Sequence, residues 1–330
     1  MFKRNLFVKA IAILFIALLI SCGNGGASKS LNWKLGHNFT ETHPVHKALM
    51  QFAADVEKDT EGRVKITIFP NAVLGDDASM IEQLQGDVIQ MMKVSTSFVE
   101  GFSPLYGIFS IPYLFDSREQ FFKAMDTDAV KKIYDSSRPQ GFVALTYFDS
   151  GSRSFYTKNK TIMHPNDLKG LKIRVIPSPI FVRMIELMGG AATAMPFGEV
   201  YTAIQTGTVD GAENNVVSLV EMKHSEVAKQ YSFDEHSMTP DVLIVNTASW
   251  DSLSEEDRAI IQAAADRSTQ TGIELWAQRT EEAMVEAEQQ GVTFNYPDKT
   301  PFQTATASII EEQMKDPAKA EIITAIREVK

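Results

Sequence analysis

Apolar residues along this chain follow two spacings that alternate from one segment to the next. Val64, Ile66 and Ile68 alternate with polar residues, which is the pattern of a β-strand. From Pro44 to Glu61, apolar residues recur every three or four positions, as on one face of a helix. The same reasoning predicts further strands at 31–36, 88–94, 142–147, 171–175 and 242–246, and helices at 78–84, 179–188 and 199–205. Strands and helices in alternation are typical of an α/β fold with a largely parallel sheet.

A long helical segment is predicted near the end of the chain. Ser254 is a suitable N-cap, and the three acidic residues after it favour the positive end of a helix. No proline or strong helix breaker occurs before Gly291, and Gly272 is the one weak point. A continuous helix over 254–290 would be about 55 Å long and would run along more than one domain. Two helices that meet at a bend near Gly272 are the alternative.

The first 21 residues have the composition of an export signal. Three basic residues accompany an apolar stretch of ten residues at 11–20. A membrane-spanning helix needs about 20 apolar residues, so this stretch is too short to be one. The segment is followed by Cys22 in the run Leu-Ile-Ser-Cys, the pattern of a bacterial lipoprotein signal in which the cysteine becomes acylated. We therefore predict a lipoprotein signal peptide over 1–21, with an ordinary secretory signal as the alternative.

Composition restricts what the rest of the chain can do. Cys22 is the only cysteine, so no disulfide, thiol nucleophile or cysteine metal site is available elsewhere. Residues 22–30 are small and polar, which predicts a flexible tether. The formal charge is −10, and loss of the three basic residues within 1–21 would leave −13. A body this acidic is unsuited to nucleic acid or anionic lipid, and it holds an anion only through local cations.

Length predicts more than one domain. Without 1–21 the chain has 309 residues, which exceeds the ~250–300 at which single hydrophobic cores usually divide.

Two arginines are candidates for holding an anion. Arg153 and Arg174 both lie beside predicted strands in the middle of the chain. Ligands of open α/β sheets collect at the carboxyl ends of strands, and a guanidinium group meets a carboxylate with two parallel hydrogen bonds. Their positions in the sequence are also consistent with a surface ion pair at each arginine.

The segment between 195 and 215 combines residue types that suit a ligand. Gly211 lets backbone approach closely, Asn214 offers both a donor and an acceptor, and Phe197 offers a flat apolar face. Composition alone is equally consistent with a loop followed by a helix.

Residues that would indicate catalysis do not form a recognisable pattern. The sequence contains no nucleophile motif and no phosphate-binding loop. His43 and His46 lie three positions apart, but Pro44 begins a helix between them and only Glu41 is near as a further ligand. We therefore predict a protein that is not an enzyme and that needs no cofactor or metal.

Several segments, taken in order along the chain, resemble blocks of one protein family. They are FPNAVLGDD (69–77), SIPYLF (110–115), GSRSFYT (151–157), DLKGLKIRV (167–175), PFGEVYTAIQTG (196–207) and VDGAENN (209–215). Together they are similar to the solute-binding proteins of TRAP (tripartite ATP-independent periplasmic) transporters, and the similarity extends over about 31–276.

This resemblance implies an α/β fold of the periplasmic-binding-protein type, with two lobes, a ligand cleft between them and a long helix that spans both. It implies 31–150 and 240–279 as lobe I and 151–239 and 280–330 as lobe II. It also implies a periplasmic protein that delivers a small organic acid to the membrane subunits of a TRAP permease. Together with the predicted lipoprotein signal, we expect a monomer that is anchored to the membrane through lipid on Cys22.

The resemblance also implies roles for individual residues. Arg174 would make the main two-pronged contact with the ligand carboxylate, and Arg153 would support it. The other cleft positions that it implies are Phe197, Asn214, Asn38, Asp77 and His236.

The choice of acid rests on shorter similarities. Segments 37–38, 211–215 and 235–237 resemble those of members that bind hexuronates such as glucuronate or galacturonate. A sugar acid needs one carboxylate clamp and many hydroxyl partners. The candidates for these partners are His37, Asn38, Asp77, Lys93, Ser95, Asn214 and His236.

Alternatives remain for both the ligand and the histidines. A C4-dicarboxylate would require a second cation, for which Lys93 is the candidate, and an aldonate or keto acid is a further alternative. Residues 95–97 differ from the sialate-binding branch, which argues against a sialate. His37 and His236 are equally consistent with buried structural histidines. Outside transport, the alternative is a structural lipoprotein without a pocket.

Overall fold

The computed structural model describes residues 30–330, so the predicted signal peptide and Cys22 lie outside the described residues. Within this range the strands are β1 (Leu31–Gly36), β2 (Val64–Phe69), β3 (Met91–Ser95), β4 (Phe142–Phe148), β5 (Arg153–Thr157), β6 (Lys172–Val175), β7 (Ala191–Ala194), β8 (Gly211–Asn214), β9 (Gln230–Ser237), β10 (Asp241–Asn246) and β11 (Thr293–Asn295).

The α-helices in the same range are α1 (Pro44–Asp59), α2 (Asp77–Gln85), α3 (Thr96–Val99), α4 (Arg118–Met125), α5 (Asp128–Asp135), α6 (Pro179–Leu187), α7 (Val200–Thr206), α8 (Val216–Glu221), α9 (His224–Val227), α10 (Thr247–Asp251), α11 (Glu255–Gln289), α12 (Thr300–Gln313) and α13 (Pro317–Glu328). Short 3₁₀ helices occur at Pro104–Ser110, Arg138–Gln140, Pro165–Leu168 and Phe197–Glu199.

The strands form two separate sheets. The first has the order β2-β1-β3-β10-β4, and the second has the order β11-β9-β5-β8-β6-β7. β1 is parallel to β2 and β3, and β6 is parallel to β7 and β8. β10 is antiparallel to β3 and β4, and β5 is antiparallel to β8 and β9. Both sheets are therefore mixed, whereas the alternation of strands and helices along the sequence predicts a largely parallel sheet.

The antiparallel strands follow from the route of the chain between the sheets. The chain crosses at 149–152, between β4 and β5, and returns at 238–240, between β9 and β10. Since the two crossings run side by side in opposite directions, β4 pairs with β10 and β5 with β9 in antiparallel register. β4, β5 and β10 are buried along their whole length, as expected for strands covered on both faces. The protein thus has two lobes, one on each sheet, joined at these crossings.

Helix α11 runs along both lobes. It is continuous over 35 residues, which makes it about 52 Å long. Ser254 is its N-cap and accepts a hydrogen bond from the backbone nitrogen of Asp257 at 3.0 Å. The helix packs on α1 and β4 in the first lobe and on α8 in the second. Gly272 does not interrupt the helix. A Cβ at this position would lie 3.0 Å from the ring of Phe148, so the glycine permits close packing on β4.

The C-terminal helices divide between the lobes. Helix α12 packs on α6 of the second lobe, but α13 packs on α5 of the first. Lys132 Nζ contacts Glu321 Oε1 at 2.6 Å, and Gln120 Nε2 donates to the backbone oxygen of Val329 at 3.1 Å. The assignment of the whole of 280–330 to lobe II therefore needs correction for 317–330; the other lobe boundaries remain predictions.

Among the helices of 30–330, none has both the length and the hydropathy that a bilayer crossing requires.

Candidate ligand-binding cleft

A cavity of about 240 Å³ lies between the two lobes. The carboxyl ends of β1, β3, β6 and β8 lead into it, which is where open α/β sheets bind ligands. Of the ten residues predicted to contact a ligand, eight line this cavity: Asn38, Asp77, Lys93, Ser95, Arg153, Arg174, Phe197 and Asn214. His37 and His236 do not belong to its lining.

Arg174 has an unused hydrogen-bonding group in this cavity. Its Nε and Nη2 donate to the backbone oxygen of Met195 at 3.1 and 2.8 Å. Its Nη1 is buried and has no hydrogen-bond partner among the described residues. The side chain is only 1% exposed, and this burial lowers the pKa of Arg174 to about 10 although Glu213 opposes the effect. A buried cation with a free donor is the chemical complement of a ligand carboxylate.

Arg153 is already paired. Its Nε and Nη2 donate to the two carboxylate oxygens of Glu213 at 2.6 and 2.9 Å, which is a two-pronged ion pair. Its Nη1 donates to Asn214 Oδ1 at 3.0 Å. Burial would raise the pKa of Glu213, but Arg153 and His236 outweigh it and lower that pKa to about 2. The charge of Arg153 is therefore compensated within the protein, unlike that of Arg174.

Asn214 connects Arg153 to the cavity. Its Oδ1 accepts hydrogen bonds from Arg153 and from the backbone and side-chain nitrogens of Asn215. These donors fix the amide orientation, because the oxygen must face them. Its Nδ2 has no hydrogen-bond partner within 30–330 and is available to an acceptor on a ligand.

His236 lies behind the cavity rather than in its wall. Its Nδ1 is 2.8 Å from Asp234 Oδ2, and its Nε2 is 3.3 Å from Glu213 Oε2. Burial opposes protonation, but the two carboxylates outweigh it and raise the pKa of His236 to about 9. His236 therefore has no ring nitrogen available for the predicted contact with a ligand, because both nitrogens contact buried carboxylates.

His37 is also a buried structural residue. Its Nδ1 accepts a hydrogen bond from the backbone nitrogen of Phe39 at 3.1 Å, and its Nε2 lies 3.0 Å from His46 Nδ1. Burial, with smaller effects of Lys93 and His46, lowers the pKa of His37 to about 3. The neutral ring holds the turn that brings Phe39 and its neighbour Asn38 to the cavity.

The first-lobe wall of the cavity is a chain of hydrogen-bonded side chains. Asn38 Nδ2 contacts both oxygens of Asp77 at 3.2 and 3.1 Å, and Asn38 Oδ1 accepts from Lys93 Nζ at 3.0 Å. Lys93 Nζ also lies 3.6 Å from Asp241 Oδ2 and 3.4 Å from the ring centroid of Phe39. Burial raises the pKa of Asp77 to about 6, although Lys93 opposes it. This wall offers both donors and acceptors to hydroxyl groups.

Other residues of the site are absent from the predictions. Phe39, Ser150, Asn215 and Asp241 line the cavity, and Glu213 determines the state of Arg153. Phe39 directly follows Asn38, and Glu213 lies inside the VDGAENN segment, so a wider window around the predicted residues would have included both. Gly211 does not approach a ligand: a Cβ there would lie 2.3 Å from the backbone oxygen of β5. Within 30–330, no cluster of three or more metal-ligating side chains is found.

Two lobes around a small, charged cavity are typical of a protein that captures a small solute. Comparison with known proteins agrees: the family model for bacterial extracellular solute-binding proteins of family 7 matches residues 35–316. A solute-binding protein of Chromohalobacter salexigens is 34% identical over 323 residues, which is 97% of this chain and 96% of the relative. The chain therefore belongs to family 7 of the bacterial extracellular solute-binding proteins, whose members bind solutes for transport.

Solved structures of TRAP periplasmic solute-binding proteins have the same fold. One from Anaerococcus prevotii, with bound α/β-D-glucuronate, has a TM-score of 0.89 and 39% identity, and the match covers 91% of this chain and 98% of that one. Another from Sulfitobacter sp. NAS-14.1, with bound β-D-galacturonate, has a TM-score of 0.86 and 35% identity, with coverage of 90% and 99%.

Proposed function

We propose that this chain captures a hexuronate, D-glucuronate or D-galacturonate, in the cleft and delivers it to a TRAP permease. The observation that carries the proposal is the free Nη1 of Arg174, a buried cationic donor in a cavity of about 240 Å³. This volume is slightly below the ~300–1,000 Å³ of pockets for drug-sized ligands, which suits a single sugar ring. The two neighbouring structures that hold glucuronate and galacturonate support the same ligand class.

The other charges of the cleft favour a ligand with one carboxylate. Arg153 is compensated by Glu213, and Lys93 has Asp241 at 3.6 Å and shares Asn38 with Asp77. A C4-dicarboxylate would bring its second carboxylate toward two acids and one partly paired cation, which is repulsive. The hydroxyl groups of a sugar acid would instead find acceptors on these carboxylates and donors on Lys93 and on the amide nitrogen of Asn214.

Binding is tested by thermal shift and isothermal titration with a matched set of compounds. D-glucuronate and D-galacturonate should stabilise the protein by about 2.7 kcal/mol at a ligand concentration of 100 times Kd. D-glucose and D-galactose are the neutral controls, and succinate and D-gluconate represent the alternative acids. A larger shift with succinate or gluconate would overturn the hexuronate assignment, and no shift with any acid would overturn solute capture itself.

The proposal includes a lipid anchor on Cys22, a periplasmic location and a monomeric protein without catalytic activity. A basic and apolar segment that ends at the only cysteine, followed by a small polar tether, supports the anchor. Cells that express wild-type protein should retain it in the membrane fraction with an acylated N-terminus by mass spectrometry. A Cys22→Ser variant should not be acylated; recovery of unacylated wild-type protein in the soluble periplasm would favour the ordinary secretory signal.

A further inference from the structure

We infer that His43, which does not line the cleft, is a positioning residue for ligand affinity that acts through Phe39 on Lys93. The inference rests on the proposed function, because it concerns how the cleft holds its solute. Phe39 and Lys93 both line the cavity, whereas His43 lies behind them, 1% exposed, immediately before helix α1.

The three side chains form a stack. The ring centroids of Phe39 and His43 are 3.7 Å apart with an angle of 18° between the ring planes. Lys93 Nζ lies 3.4 Å from the same Phe39 centroid. An imidazole and an ammonium this close to one centroid would overlap on the same face, so they occupy opposite faces. Phe39 is thus sandwiched, and its position depends on the ring of His43.

The protonation of His43 suits this role. Its Nδ1 accepts a hydrogen bond from the backbone nitrogen of Val45 at 3.2 Å, so a neutral ring carries its proton on Nε2. Burial, then the nearby charge of Lys93, lowers the pKa of His43 well below its ordinary value. A neutral ring adds no second positive charge behind the Phe39–Lys93 contact.

The stack determines where the Lys93 ammonium group is held. One N–H contacts Asn38 Oδ1 at 3.0 Å, and the ammonium faces the Phe39 ring, which attracts cations through its negative face. Asp241 Oδ2 is 3.6 Å away, beyond a normal hydrogen bond. Without the His43 ring, Phe39 would be free to move, and the Lys93 ammonium group would then approach Asp241 and form a full ion pair. Phe39 therefore keeps a Lys93 donor available for a ligand oxygen.

Two substitutions separate the ring of His43 from its capping role. His43 is also the N-cap of α1, and asparagine is at least as good a cap, so His43→Asn removes the ring and retains the cap. His43→Phe retains a ring and removes the capping acceptor. A matched control is His164→Asn, because His164 also accepts a hydrogen bond from a following backbone nitrogen but is exposed and remote from the cleft.

The variants are compared by titration with D-glucuronate and by thermal unfolding. His43→Asn should bind about tenfold more weakly, the loss expected for a desolvated cation–aromatic contact, and the cavity left by the buried ring should lower its Tm by a few °C. His43→Phe should restore most of the affinity while its Tm falls by about 2 °C through the lost cap. His164→Asn should bind like wild type. Wild-type affinity in His43→Asn, or equal loss of affinity in His43→Asn and His43→Phe, would overturn the inference.

A double-substitution cycle tests the route through Lys93. In a Lys93→Met background, His43→Asn should weaken binding by less than about twofold, because its effect passes through the absent ammonium. A tenfold loss in both backgrounds would show that His43 acts elsewhere. If wild type fails to bind glucuronate, the proposed function fails, and the same series with the acid that does bind still tests His43.

Discussion

Replacement of Arg174 by methionine is the most direct test of how the cleft holds an acid. The change retains an unbranched side chain of similar length and removes the charge. Each charge-assisted hydrogen bond to a carboxylate contributes about 1.5–3 kcal/mol, and a carboxylate left buried without its partner costs about 3–5 kcal/mol. Arg174→Met should therefore raise the Kd for the acid by a factor of about 10²–10³.

The same change should leave the ligand-free protein nearly as stable as wild type. A pKa lowered from 12.5 to about 10 means that the charged form is disfavoured in the folded state by about 3 kcal/mol. This cost is fully present at neutral pH, because it would be relieved only above pH 10. Its removal offsets much of the loss of the two charge-assisted hydrogen bonds to Met195, which contribute about 1.5–3 kcal/mol each.

Arg153→Met is the matched control for this reasoning. It is the same substitution at an equally buried site, but Arg153 forms a two-pronged ion pair with Glu213. Its loss leaves Glu213 as a buried charge without its main partner, so the free energy of unfolding should fall by about 3–5 kcal/mol. Urea unfolding of both ligand-free variants, with titration of the acid, measures the contrast. A large loss of stability in Arg174→Met, or retained affinity in it, would refute the reasoning.

Three further predictions concern stability and a contact between the lobes. Protonation of His236 stabilises the fold fully below pH 6.5, and this contribution of about 3 kcal/mol is lost as the pH rises through 9. Urea unfolding from about pH 6 to pH 10 should show this decline in wild type and a shallower one in His236→Gln; parallel curves would contradict it. Gly211→Ala should cost about 3 kcal/mol or more through its backbone clash, and Gly198→Ala, which has open space, should not change Tm. Thr42 of the first lobe donates a hydrogen bond to Glu221 of the second lobe at 2.6 Å, outside the cleft. Thr42→Val removes this contact between the lobes and should speed ligand dissociation about tenfold by stopped flow; an unchanged rate would show that the contact does not hold the lobes around the ligand.

The sequence predicts those parts of the fold whose signal is local. The absence of strong breakers over 254–290 correctly indicates one continuous helix. β9 is missed, because Asp234, Glu235 and His236 give it the composition of a loop. Asp234 and His236 of this strand are buried, and their charges are compensated by each other and by Glu213. β7 is missed because its four small residues carry little hydrophobic signal.

The difference between the two arginines lies beyond local sequence. Arg153 and Arg174 both precede or occupy short apolar strands, and either is a reasonable clamp on that basis. β5 pairs with β8 so that Ser154 lies opposite Asn214, which brings Glu213 to the guanidinium of Arg153. Arg174 lies on β6, where Met195 offers only a backbone oxygen. The pairing between distant strands therefore decides which cation remains for the ligand.

This charge balance also determines how the cleft distinguishes a sugar acid from the neutral sugar. On the proposed function, the hydroxyl groups of glucose and glucuronate would meet the same Asn38, Asp77 and Lys93 side chains, so they would contribute little to discrimination. The carboxylate would provide the discrimination, because a bound neutral sugar would leave Arg174 Nη1 buried without a charged partner. A buried charged donor left unsatisfied costs more than the ~1–3 kcal/mol of a neutral one, so the preference for the acid should reach at least about 10²-fold. The proposed function therefore attributes specificity for the acid to the Nη1 group of Arg174, which has no hydrogen-bond partner among the described residues of the ligand-free protein.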